Sequence, residues 1–94
     1  MRVRRWIWDE RNRAHIARHG VYEDEAEEVI ATATLTEVIQ AGKSLAWGKT
    51  AEGRYLLVVY AIRGQQGAYV ITARDMTSKE KKRFRRLFGR KGNG

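Results

Sequence analysis

The chain is 94 residues long and carries 19 lysines and arginines against 11 acidic residues, a formal net charge of +8. That length makes one domain with a modest core, and the charge excess points to a polyanion or an acidic protein as partner. The absence of cysteine excludes disulfides, thiol catalysis and zinc–thiolate sites, no apolar run approaches membrane-spanning length, and no hydrophobic signal core follows the basic N-terminus, so the chain reads as cytoplasmic.

Proline is also absent, and glycines punctuate the chain instead. Arg4 to Trp8 is aromatic and β-branched and predicts a first strand. Asp9 then caps a helix that runs to about His19, with Gly20 as its stop. A second helix is predicted from about Asp24 to Thr32. Ala26, Val29, Ile30 and Ala33 hold the spacing of one buried face, and Glu23, Asp24 and Glu25 occupy the turn where the helix dipole favours negative charge.

The period then changes. Thr34–Gln40, Ser44–Thr50, Arg54–Arg63 and Ala68–Arg74 read as strands joined by short glycine-containing turns. Tyr55 to Ile62 is apolar on both faces, which makes it the central strand, covered by helices on one side and by something else on the other. Thr77-Ser78-Lys79-Glu80 is a capping box, and it opens a last helix with Phe84, Leu87 and Phe88 as its apolar stripe. The order βααββββα predicts an α+β domain over residues 1–88, helices packed on one face of a mostly antiparallel sheet. Residues 89–94 read as a flexible basic tail.

An ordered set of segments carries a family resemblance. It comprises Trp8-Asp9-Glu10-Arg11-Asn12-Arg13-Ala14-His15-Ile16-Ala17-Arg18-His19-Gly20-Val21, an acidic helix ending Glu27-Glu28-Val29, the turn Gly48-Lys49-Thr50-Ala51-Glu52-Gly53-Arg54, then Leu56-Leu57-Val58-Val59-Tyr60, Val70-Ile71-Thr72-Ala73-Arg74 and the basic helix Ser78 to Phe84. Together they resemble the BrnT family of toxins from type II toxin–antitoxin systems, small ribonucleases with a RelE-like fold. The chain departs from the family at Tyr22-Glu23, which leaves the second helix weakly capped, and at Phe84, where a tyrosine is often found. The resemblance implies a metal-independent endoribonuclease that inhibits translation. It also implies a ribbon-helix-helix antitoxin of the BrnA type, assembled as two toxins with two antitoxins and contacting operator DNA only through the antitoxin. The alternative is a non-catalytic RNA-binding or protein-interaction module of the same fold.

RNA supplies its own nucleophile, the 2′-hydroxyl, so cleavage needs only a base, an acid and cations for the phosphorane charge. No cofactor or metal is expected, since no acidic residue stands at metal-ligand spacing beside the histidines. Strand connectivity gathers the cations: Lys49 ends the third strand, Arg54 begins the fourth, and Arg74 ends the antiparallel fifth, at the same end of the sheet. Arg63 sits at the far end of the fourth strand and ranks as an RNA- or partner-binding residue. Simple registers put Lys49, Tyr55, Leu57 and Arg74 on one face and Arg54 on the other, unless a bulge intervenes. His19 is the candidate proton carrier, because an imidazole titrates near neutral pH; His15 stands one turn earlier. Trp6, Trp8 and Trp47 are candidates for stacking on unpaired bases, with at least two of them expected in the core; Trp47 and Tyr60 are the aromatics to test for exposure. The last helix holds Lys79, Lys81, Lys82, Arg83, Arg85 and Arg86 with Glu80 as its only acid, and Lys79, Lys82, Arg83 and Arg86 rank as its RNA- or partner-binding residues. That face is either an RNA-backbone surface or a docking surface for an acidic antitoxin.

Overall fold

The computed structural model describes residues 3, 5–33 and 35–89. The elements are β1 (Trp6–Ile7), α1 (Glu10–Ala17), α2 (Glu23–Thr32), β2 (Leu35–Val38), β3 (Lys43–Lys49), β4 (Tyr55–Ile62), β5 (Ala68–Asp75) and α3 (Ser78–Phe84). A short 3-10 turn (Gly64–Gln66) precedes β5, and α3 widens into a π-helical turn over Arg85–Gly89. The order is the one read from the sequence. The first strand is shorter than its aromatic run, and of the residues assigned to strands Arg4 and Thr34 lie outside the described residues. Of the tail, only Gly89 is described.

The local signals act through identifiable bonds. The Asp9 carboxylate accepts the Asn12 N–H at 2.9 Å while the Asn12 side chain accepts the Asp9 N–H at 2.8 Å, a reciprocal cap that starts α1. Asn12 is fully buried and its amide also donates to the carbonyls of Ile7 and Val70, so one side chain ties the helix start to β1 and β5. Gly20, at φ +70°, closes the helix: its N–H donates to Ala17 and that of Val21 to Ile16, a Schellman pattern that few residues other than glycine allow. No side chain from Tyr22 caps α2; Glu25 instead accepts the Tyr22 N–H at 3.0 Å. The box at the start of α3 forms as read, with Thr77 Oγ1 accepting from Glu80 N–H and Glu80 Oε1 from Thr77 N–H.

The sheet order is β1-β5-β4-β3-β2, with β1 parallel to β5 and every other pair antiparallel. Central β4 contributes Leu56, Val58 and Tyr60 to a core shared with Ile16, Val29 and Ile30 of α1 and α2. Gly48 allows α2 to sit close: a Cβ there would lie 3.2 Å from Val29 Cγ1. The other face carries Leu35, Trp47 and Leu57 in register, and α3 lies over it, with the Phe84 ring edge-on to Tyr55 at 5.9 Å. This corrects the expectation that the helices share one face. An apolar stripe specifies that a helix buries itself, not which side of a two-faced strand receives it.

A bulge in β5 sets the faces. Next to the turn, Tyr60 pairs with Val70, but Val59 pairs with Thr72, leaving Ile71 unopposed. Continued without the bulge, the first register would pair Leu56 with Arg74. Instead Leu57 faces Arg74, so Arg74 shares a face with Tyr55 and Trp47, and Asp75 turns to the side of α1 and α2.

Candidate functional site

The turn that joins β3 to β4 is held by Thr50, whose N–H donates to the Arg54 carbonyl and whose hydroxyl accepts the Arg54 N–H. Glu28 of α2 accepts the Ala51 N–H at 2.6 Å. Lys49, Arg54 and Tyr55 therefore leave a fixed backbone. On the α3 side, three cations approach the Tyr55 ring: Lys49 Nζ lies 5.3 Å from its centroid, Arg85 Cζ 5.8 Å and Lys81 Nζ 5.9 Å. Distances under about 6 Å are within reach of the ring's negative face. Among the described residues, no carboxylate forms an ion pair with any of them. Tyr55 is half-buried, and its hydroxyl has no hydrogen-bond partner among the described residues.

Arg74 borders this cluster but is engaged. It grips Glu80 with two nitrogens, at 2.7 and 3.0 Å, and donates to the Asp75 carbonyl at 3.0 Å. Glu80 in turn caps α3, so Arg74 fixes the helix that carries Lys81 and Arg85. The Arg74 guanidinium, with the Thr77 N–H, lowers the Glu80 carboxyl from its ordinary 4.5 to about 2.

Arg54 stands on the opposite face. It donates to Glu25 at 2.7 Å, to the Gly20 carbonyl at 2.8 Å and to both Asp75 oxygens at 3.0 and 3.1 Å. These bonds raise its pKa and hold Asp75 below the usual carboxylate range. Arg54 thus joins the loop between the first two helices, α2 and the end of β5. His19, exposed next to Gly20, has its ring 5.9 Å from that of His15 and lies on the Arg54 side. The structure brings Lys49 and Arg74 to one face and leaves Arg54 and His19 on the other.

The remaining candidates are dispersed. Arg63 stacks on Tyr69 at 4.3 Å, at the far end of β4. Trp47 is half-buried, its indole N–H bonded to Glu37 at 3.0 Å, and it lines a small cleft with Leu35, Glu80, Arg83, Phe84, Leu87 and Phe88. Trp6 and Trp8 pack against the core, and Tyr60 is buried. Lys79, Lys82, Arg83 and Arg86 are all exposed on α3 and the turn after it. Lys81 and Arg85 were read with the other basic residues of the last helix as part of a binding face, not as partners of Lys49 beside Tyr55. The signal was present, since 81, 84, 85 and 88 keep the i, i+3, i+4, i+7 spacing that puts both cations beside Phe84 and Phe88.

The fold and this cluster define a small basic α+β domain with unneutralised cations gathered at one end of a sheet face. A family model described as "Ribonuclease toxin, BrnT, of type II toxin-antitoxin system" matches residues 8–80. The chain belongs to the BrnT family, a family of ribonuclease toxins of type II toxin–antitoxin systems, and its partner in such a system is an antitoxin. No curated protein and no solved structure matches the chain. The matched span stops at Glu80, so Lys81 and Arg85 lie outside it, and the geometry places them beside Tyr55. No helix among the described residues is long and apolar enough to cross a membrane.

Proposed function

We propose that the chain is a metal-independent endoribonuclease whose active site is the cation cluster around Tyr55. The 2′-hydroxyl gives up its proton to water as its oxygen attacks the adjacent phosphorus, the bond to the 5′-oxygen breaks, and that oxygen takes up a proton from water; a 2′,3′-cyclic phosphate remains. The observation that supports this site is the convergence of Lys49, Lys81 and Arg85, from two separate elements, with none of them in an ion pair among the described residues. Charge fixed in advance at the point where the phosphorane forms is the largest contribution such an enzyme makes. Arg74 belongs to the site as the residue that holds α3 in place. We assign Arg54 to the fold, because the chain itself supplies its acceptors, and His19 stands apart from the cluster.

The basic face of Lys79, Lys82, Arg83 and Arg86 beside the cleft at Leu87 suits an acidic partner with apolar side chains. In this proposal the partner is a ribbon-helix-helix antitoxin of the BrnA type, two copies with two of the toxin, covering the cluster and so preventing both RNA cleavage and the inhibition of translation. Operator DNA would be held by the antitoxin.

Incubation of the purified chain with labelled RNA in EDTA tests the nuclease reading. Fragments ending in cyclic phosphate are expected. RNA bound but intact after prolonged incubation would leave only a binding module of this fold.

A further inference from the structure

The cations explain how a phosphate would be held, but not why an aromatic ring stands at their centre. We infer that Tyr55 is the platform on which one unpaired base of the RNA stacks, a substrate-binding contact, with Lys49, Lys81 and Arg85 holding the adjoining phosphates. This rests on the reading of the chain as an RNA-cleaving protein.

The Tyr55 ring is set by the β3–β4 turn on one side and by buried Phe84, edge-on at 5.9 Å, on the other. A ring already immobilised loses little conformational freedom when a base lies on it. It is half-exposed, and three cations reach it from two elements. Ammonium groups are strongly hydrated, and a phosphate is a far better partner for them than a lone phenol. An arriving nucleotide therefore offers both partners at once: its base to the ring and its phosphates to the cations.

The tryptophans and the other tyrosines do not meet these conditions. Trp6 and Trp8 pack against the core, and Trp8 is tied to Glu27. Tyr60 is buried. Tyr69 has a single cation on its ring, and its hydroxyl is bonded to the Asp9 carboxylate, which repels a phosphate backbone. Trp47 stands against Glu37 and near Glu80, carboxylates that repel a phosphate backbone. Tyr22 is 71% exposed but sits at the start of the acidic turn Glu23-Asp24-Glu25.

The test uses the whole chain and a single-stranded oligoribonucleotide made uncleavable by 2′-O-methylation, with Kd measured at several salt concentrations. Tyr55→Leu is expected to weaken binding roughly tenfold while leaving the salt slope unchanged, because stacking involves no counterion release. Tyr55→Phe, which keeps the ring, should bind as wild type does. Lys81→Ala should lower the slope by about 0.7, the loss of one phosphate contact on a single strand. An oligomer of the same length with abasic sites should bind wild type more weakly and Tyr55→Leu no more weakly than the intact oligomer. Tyr55→Val serves in place of the leucine variant should that one unfold. Wild-type affinity and undiminished discrimination against abasic sites in the ring-less variant would overturn the platform and leave RNA cleavage standing. Failure of the wild type to bind or cleave any RNA would overturn both.

Discussion

At the end of the sheet where β3 turns into β4, the two faces hold positive charge in opposite circumstances. On the side of α1 and α2, Arg54 meets Glu25, Asp75 and the Gly20 carbonyl, and its side chain is only 27% exposed. On the side of α3, Lys49, Lys81 and Arg85 crowd around one phenol, and among the described residues no carboxylate forms an ion pair with them. Both are cation sites at one sheet end, yet among the described residues one is ion-paired by the chain's own carboxylates and the other is not. What separates them is the number of acceptors that the chain itself supplies. An arginine whose donors are filled by its own protein fixes geometry, whereas cations held together without partners are an unfavourable arrangement that a phosphate relieves.

The largest effect that can break this contrast is catalytic. Lys49→Ala and Arg85→Ala are each expected to slow RNA cleavage by a factor of about 10²–10³, by analogy with loss of one oxyanion donor. Their thermal midpoints should stay near wild type, as exposed side chains without ion pairs contribute within about 0.5 kcal/mol. Full activity in both variants would move the active site away from the Tyr55 face.

Arg54→Ala should do the reverse. It strands two carboxylates and a carbonyl on a partly buried surface. Hydrogen bonds to charged groups contribute roughly 1.5–3 kcal/mol, and discounting for solvent at Asp75 leaves a loss of about 2 kcal/mol. For a domain of this size that corresponds to a midpoint lower by on the order of 10 °C. Cleavage per folded molecule should persist. A variant with wild-type stability and no activity would show that Arg54 leaves its three partners to reach substrate.

Sequence reasoning reached this comparison by half. Period and capping signals placed the elements, because Asp9, Gly20 and Thr77-Ser78-Lys79-Glu80 act through bonds only a few residues long. The central strand was legible from its apolar residues on both faces. Simple registers also separated Arg54 from Lys49, Tyr55, Leu57 and Arg74 on condition that no bulge intervened; the unbroken β3–β4 register keeps Lys49, Tyr55 and Leu57 together, but Arg74 joins them only through the bulge at Ile71. The acceptors around Arg54 were not legible. Glu25 and Asp75 are 29 and 21 residues away, and only the packed fold says whether an acid on another element faces a given arginine. For the same reason, the choice of face for α3 could not be read from its stripe, and with it went the roles of Lys81 and Arg85. Counting positive residues along the helix favours Lys82 and Arg86, which the helix turns outward.

The smallest effect concerns the bond that holds α3 over the site, and it is read by acid. Arg74 and the Thr77 N–H lower Glu80 from 4.5 to about 2. A carboxyl with a depressed pKa in the folded chain contributes stability that is fully present above its unfolded value and disappears as pH falls through the folded one. The thermal midpoint should therefore be flat from neutral pH down to about 5 and decline between roughly 4.5 and 2. Asp75, lowered by Arg54, declines in the same direction. Glu80→Gln separates the two contributions. It removes the Glu80 titration while Arg54 and Asp75 remain, so the variant should lose part of its midpoint at neutral pH and show a shallower acid limb. Glu80 is a quarter exposed and Arg74 more so, which keeps the difference to a few degrees. An acid limb of unchanged depth in Glu80→Gln would mean that Arg74 does not hold this carboxylate in solution. The anchoring of Lys81 and Arg85 beside Tyr55 would then have to come from Phe84 alone.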